Sequence, residues 1–220
     1  MGTKSIDISV ETIENTIDEF RCKEHAKENA LEKVFSDENY DDAEGVLIRT
    51  VLLNQFYSTM LNMAEGIRHK NGKVIVDVFS MADRIANCKG IHESIRSNEK
   101  SKRMKAFNHI AYDEDKENEV ESYNACLSFA SKYCSWINPT AFPIFDRYSK
   151  GMLYYINKQN NYCNRKLTYA DLRDYDNFCE IHEAFRKQFL REDGSPRFST
   201  KEIDMYLWLY GKKYNIKIEN

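Results

Sequence analysis

A chain of 220 residues with a formal net charge of −3 and 30% charged residues is long enough for one well-buried domain or for two helical subdomains around a cleft. No run approaches the roughly 20 apolar residues of a membrane span, so no membrane partner is expected. The acidic balance gives no general attraction to nucleic acid, and any DNA contact must come from a local basic patch. With three prolines, eight glycines, fourteen tyrosines and twelve phenylalanines, and apolar residues recurring mainly at three and four, the expected class is all-α with an aromatic core.

The opening MGTKSIDISV has no basic stretch followed by an apolar one, and no secretory signal is expected. Residues 5–36 predict two helices, one with Ile13, Ile17 and Phe20 on a face and one with Leu31, Val34 and Phe35. Ser36 to Asp42 reads as an acidic loop. From Ala43 to His69 apolar positions are nearly continuous through Val46, Ile48, Val51, Leu53 and Phe56, the pattern of a central helix. Asn71-Gly72 interrupts it and could open a hairpin with Lys73–Phe79 as a strand. Helical neighbours on both sides favour a helix running toward Cys88.

Residues 91–112 hold the most basic stretch, with Arg96, Lys100, Lys102, Arg103 and Lys105. It is either a solvated helix face or a surface for phosphates. Asp113 to Glu119 is an acidic loop. A helix ending near Ile137 follows, because Asn138 and Phe142 each precede a proline and are pushed out of the helical region. Ser128, Lys132 and Ser135 share a polar stripe on it. Thr140 to Phe145 must run extended, and Asp146 falls at the N-cap of a second helix carrying Tyr148, Met152, Tyr155 and Ile156. A carboxylate there accepts free backbone N–H groups at the positive end of the helix dipole. Beyond it, Thr168 with Asp171 and Ser199 with Glu202 look like helix starts, the second as a capping box. The last helix has Ile203, Tyr206, Leu207 and Tyr210 at core spacing, Trp208 as core, cleft wall or stacking platform, and Gly211 placed to cap its end. The cysteines (22, 88, 126, 134, 163 and 179) form no C-x-x-C pair and the five histidines are dispersed. They read as free, mostly buried thiols of a reducing cytoplasm, with no metal and no cofactor.

Phe142-Pro143-Ile144-Phe145-Asp146 followed by an apolar helix resembles the catalytic-aspartate segment of the helix-hairpin-helix base-excision DNA glycosylases. The likeness is nearest to bacterial 8-oxoguanine-glycosylase-like proteins, with an Ala-Ser-Lys helix before an Asn-Pro turn, matched by Ala130-Ser131-Lys132 and Asn138-Pro139. Val51-Leu52-Leu53-Asn54-Gln55, continuing through Ser58-Thr59, is similar to the family helix whose glutamine end inserts into the DNA stack. The resemblance covers about residues 45–157. It implies a single glycosylase-like unit, with 45–157 as core and 1–44 and 158–220 as a flanking helical subdomain. It also implies a monomer acting on duplex DNA with a flipped base, such as an 8-oxoguanine-like lesion. Asp146 would stabilise the developing charge on the sugar and Lys132 would form a Schiff base in a lyase step. Asn54, Gln55, Lys100, Lys102, Arg103 and Trp208 would contact DNA or base. Two departures stand beside this. Residues 113–128 contain no glycine for the family's phosphate-gripping hairpin, and the family's lysine position corresponds to Ser128, one turn before Lys132.

Two other classes remain open on the sequence. One is a catalytically silent module that keeps the glycosylase fold as a binding or scaffold surface. The other is a helical defence- or toxin-type ribonuclease using Arg103 and His109.

Overall fold

The computed structural model describes residues 5–57, 59, 61, 76–112 and 123–216. Among them the chain is all-α: there is no strand, only an isolated antiparallel bridge between Leu190 and Pro196. No helix among the described residues is long and apolar enough to cross a membrane. The chain divides into two compact units, Met1–His25 with Thr140–Asn220, and Ala26–Pro139.

One helix, α1 (Val10–Ser36), serves both units in place of the two expected over 5–36. No glycine or proline interrupts residues 10–36. Phe20 and Leu31 are eleven positions apart, about three helical turns. Ile13, Ile17, Phe20, Leu31 and Phe35, all buried, therefore form one stripe. The polar gap between 20 and 31 falls where the chain passes from one core to the other.

In the second unit α1 continues through residue 36 into a short 3₁₀ turn, Glu38–Asp41, and then α2 (Ala43–Tyr57), α3 (Val78–Ala86), α4 (Ile91–Arg96), α5 (Lys100–Ala111) and α6 (Tyr123–Ile137). Helix α2 packs on α3 and α6, and α5 packs on α4, α3 and α6. Gly45 fits α2 against the preceding turn so closely that an added Cβ would overlap the Tyr40 backbone. The expected continuation of α2 to His69 is not seen at Thr59 and Leu61, which are not helical; the rest of it lies outside the described residues, as do Lys73–Ile75 and the acidic loop 113–119. Helix α3 does not run back toward Asn71. Asp77 caps it with an extended backbone, its side chain accepting the Ser80 N–H at 2.8 Å.

The first unit holds the beginning of α1 with α7 (Arg147–Asn160), α8 (Tyr175–Arg186) and α9 (Thr200–Lys213). Ser199 and Glu202 form the expected capping box of α9. Thr168 and Asp171 bond to each other across a turn, and no helix starts there. Gly211 is not a cap. It lies inside α9, where an added Cβ would stand 3.0 Å from Tyr148 Cβ and 3.1 Å from Met152 Cγ, so its lack of a side chain lets α9 approach α7. Of the six free cysteines only Cys126 and Cys134 are buried, fewer than expected.

Candidate active site

In the Ala26–Pro139 unit, Lys132 does not lie on a solvated stripe. It is 3% exposed, and Ser131 and Ser135 beside it are buried as well. Helical side chains lean toward the N-terminus and cover the preceding turn. The Lys132 amine accordingly donates to Ser128 Oγ at 2.6 Å and lies 3.4 Å from the Ser128 carbonyl oxygen. Its charge faces the Tyr57 ring, 5.8 Å from the centroid. The amine thus occupies the space over Ser128, one turn before its own Cα.

Gln55 is exposed in the last turn of α2, and Asn54 beside it accepts a hydrogen bond from Thr59 Oγ1 at 3.0 Å. The basic stretch separates into two kinds of residue. Lys100, Lys102 and Lys105 are exposed on α5, Lys102 pairing with Glu99 at 2.6 Å. Arg103 donates to the Ser97 carbonyl at 2.9 Å, and Arg96 bonds Asp41 at 3.0 Å. His109 bonds the Arg84 carbonyl oxygen at 3.1 Å. Six positions on one helix set Arg103 and His109 about 120° apart around its axis, so a single copy of α5 does not present them together.

Sequence reasoning missed the polar centre of this unit. Arg49, fully buried in α2, donates to Asp41, to the Val34 carbonyl at 3.0 Å and to the Asp37 carbonyl at 3.0 Å. Asp41 also lies 3.4 Å from His92 Nδ1, and His92 Nε2 shares a 2.9 Å hydrogen bond with the Tyr133 hydroxyl. Burial raises the Asp41 carboxyl, but the bonds from Arg96 and Arg49 outweigh it and hold the group below the usual range. Burial pushes His92 down to about 4, against the attraction of Asp41. The signal was an arginine inside the apolar run Val46–Leu53: a buried guanidinium requires partners, and the neighbouring acidic loop supplies them.

In the other unit, Asp146 caps α7 as expected, its Oδ1 accepting the Tyr148 and Ser149 N–H groups, each at 2.8 Å. Oδ2 has no hydrogen bond among the described residues. One turn on, the Lys150 amine lies 4.3 Å from the Phe145 ring centroid. Burial, with Arg173 close by, lowers its affinity for a proton, and Asp146 offsets this in part. Lys150 was not singled out from the sequence, although a lysine at i+4 from a capping carboxylate was visible there. Trp208 in α9 is half-buried, edge-on to Phe20 at 5.7 Å with the Lys212 amine 4.4 Å above it.

His182 and Asp204 form a second buried pair, Nε2 lying 3.1 Å from Oδ1 but out of line for a hydrogen bond. Burial raises the Asp204 carboxyl, His182 opposes this, and Asp146 adds to it. Asp204 shares a face of α9 with Thr200, Leu207 and Gly211, which could have marked it as buried. A groove of about 680 Å³ lies among Glu14, Arg21, Arg197 and Glu202. In it Arg21 pairs with Glu202 and Arg197 with Glu14, each at 2.8 Å, and none of the expected site residues lines it. No cluster of three or more metal-ligating side chains occurs among the described residues.

The model of the HI_0787_N family, described as an N-terminal domain, matches residues 10–141. An uncharacterized protein of Haemophilus influenzae is 42% identical over 93 residues, 42% of this chain. The chain spans about 40% of the length of that relative. No solved structure matches. The family match takes in α1 to α6 with Lys132 and ends before Asp146; since it covers more than half of the 220 residues, the chain belongs to the HI_0787_N N-terminal domain family.

Proposed function

We propose that this protein is a DNA glycosylase of the helix-hairpin-helix type, excising a damaged or modified base such as an 8-oxoguanine-like lesion. The observation that supports this most is the Lys132 amine held over Ser128, 2.6 Å from its hydroxyl oxygen. The lysine of the resembled enzymes stands one turn earlier, and the backward lean of Lys132 brings its amine toward that place. The Asp146 carboxylate, anchored through Oδ1, supplies a fixed negative charge for an oxocarbenium-like sugar. In the base-release step the Lys132 ammonium first gives up a proton, and the resulting amine attacks C1′ with its lone pair. The bond from C1′ to the base breaks, its electron pair leaves with the base, and the base takes up a proton. Loss of the amine proton and opening of the sugar ring leave an imine.

Duplexes bearing 8-oxoguanine, oxidised pyrimidines and alkylated purines should distinguish the reading. Base release on one of them, slowed about 10²- to 10³-fold by Asp146→Asn, supports it. Release unchanged by that substitution would remove Asp146 from the site. A silent module keeping this fold is the second reading, favoured by the 3% exposure of Lys132. It predicts lesion binding without release on any of these duplexes.

A further inference from the structure

Three bonds hold the chain before α7, a turn at 139–141 and the extended residues 142–146, against α8 and α9. Thr200 Oγ1 donates to the Thr140 carbonyl at 3.1 Å, the Tyr175 hydroxyl donates to the Pro143 carbonyl at 2.9 Å, and Asp204 Oδ2 accepts the Ile144 N–H at 3.0 Å. The phenyl rings of Phe142 and Phe145 are both buried. Phe145, the one residue between Ile144 and Asp146, is fixed edge-on against Phe178 at 5.1 Å and Tyr175 at 6.0 Å.

Asp204 is the costly member of this set. A carboxylate 3% exposed beside a histidine 2% exposed has lost its hydration, and apolar residues of similar volume often serve stability as well or better. What an apolar side chain lacks is an acceptor for the Ile144 N–H. Residues 142–146, with Pro143 among them, have no strand beside them among the described residues to supply one. The Asp204 carboxylate also lies close enough to Asp146 for their charges to interact. The groups facing Asp204 are His182 from α8, the Ile144 amide and Asp146.

We infer that Asp204 is a positioning residue for Asp146: with His182 packed beside it, Asp204 fixes through the Ile144 amide the turn that aims the open Oδ2 of Asp146. The inference rests on the reading of Asp146 as the charged group of the active site.

Amide NMR separates this role from simple packing, because the Tyr148 and Ser149 amides bond Asp146 Oδ1 and report where that carboxylate stands. In Asp204→Ala the Ile144, Tyr148 and Ser149 amide proton shifts should all move. On the responsive lesion kcat should fall about 10- to 100-fold at unchanged KM. Asp204→Asn, which keeps an oxygen acceptor, should restore both to near wild type. A folded Asp204→Ala protein in which only the Ile144 amide moves would overturn the inference. Should Asp204→Ala fail to fold, a pH titration in the Asp146→Asn background decides the matter. There the Tyr148 and Ser149 amides should step together with Ile144 as Asp204 titrates, and flat Tyr148 and Ser149 shifts would again overturn it. These shifts need no catalysis. Absence of base release in the wild type would sink the glycosylase reading and leave the positioning result standing by itself.

Discussion

Arg49 holds three acceptors at once, and its removal would leave the Asp37 and Val34 carbonyls and part of the Asp41 charge unsatisfied in the interior. Breaking a buried ion pair by deleting one partner costs about 3–5 kcal/mol. Arg49→Met should lower stability by that amount in urea denaturation, and a loss under 1 kcal/mol would show that the network is replaceable. Asp146→Asn should behave in the opposite way. Asparagine caps about as well as aspartate, so melting should hardly change while base release falls. At this scale the sequence was legible where a residue's role is local: the cap at Asp146 and the capping box at Ser199 follow from spacing alone. Arg49, His92, Tyr133, His182 and Asp204 were not legible, because each partnership joins residues more than seven positions apart. The burial of Lys132 was not legible either, because a polar stripe with serines on either side gives no sign that other helices cover it.

Helix boundaries were readable where proline or a capping side chain decides them, as at Ile137 and Arg147. They were misread where a change in composition was taken for a break. In α1 the polar residues between Phe20 and Leu31 mark a passage between two cores, and nothing in the backbone chemistry stops the helix. Gly211 shows the same limit, since a glycine near a helix end suggests a cap until the neighbouring helix is seen. Gly45 gives the sharper test. An alanine Cβ would meet the main chain of Tyr40, which has no rotamer to give way. The usual gain from Gly to Ala in a helix, about 1 kcal/mol, should therefore be outweighed. Gly45→Ala is expected to destabilise by about 1–3 kcal/mol net of that gain, read from the denaturation midpoint. Stabilisation would mean that the Glu38–Asp41 turn moves freely.

For the molecule as a whole, acid should act through His92. Its folded-state pKa of about 4 lies below the ordinary value of 6.5, so between those pH values the unfolded chain binds the extra proton. The contribution is complete above pH 6.5 and is lost as the pH falls toward 4. It amounts to at most about 3 kcal/mol. His92→Gln should flatten the stability profile across that window; an unchanged slope would assign the loss to other groups. Binding to DNA should depend on the basic residues of α5. Neutralising Lys100, Lys102 and Arg103 should weaken binding on every sequence and reduce its salt dependence, whereas unchanged binding would move the DNA face elsewhere.

The central claim is that Lys132 is the amine of a base-excising enzyme, and borohydride trapping on lesion-bearing duplexes tests it most directly, since hydride reduces the imine to a stable secondary amine. Wild-type protein should give a covalent complex whose adduct, after proteolysis, maps to Lys132. Lys132→Gln should abolish the complex while leaving lesion binding nearly intact. An adduct on Lys150, or trapping that survives Lys132→Gln, would contradict the account.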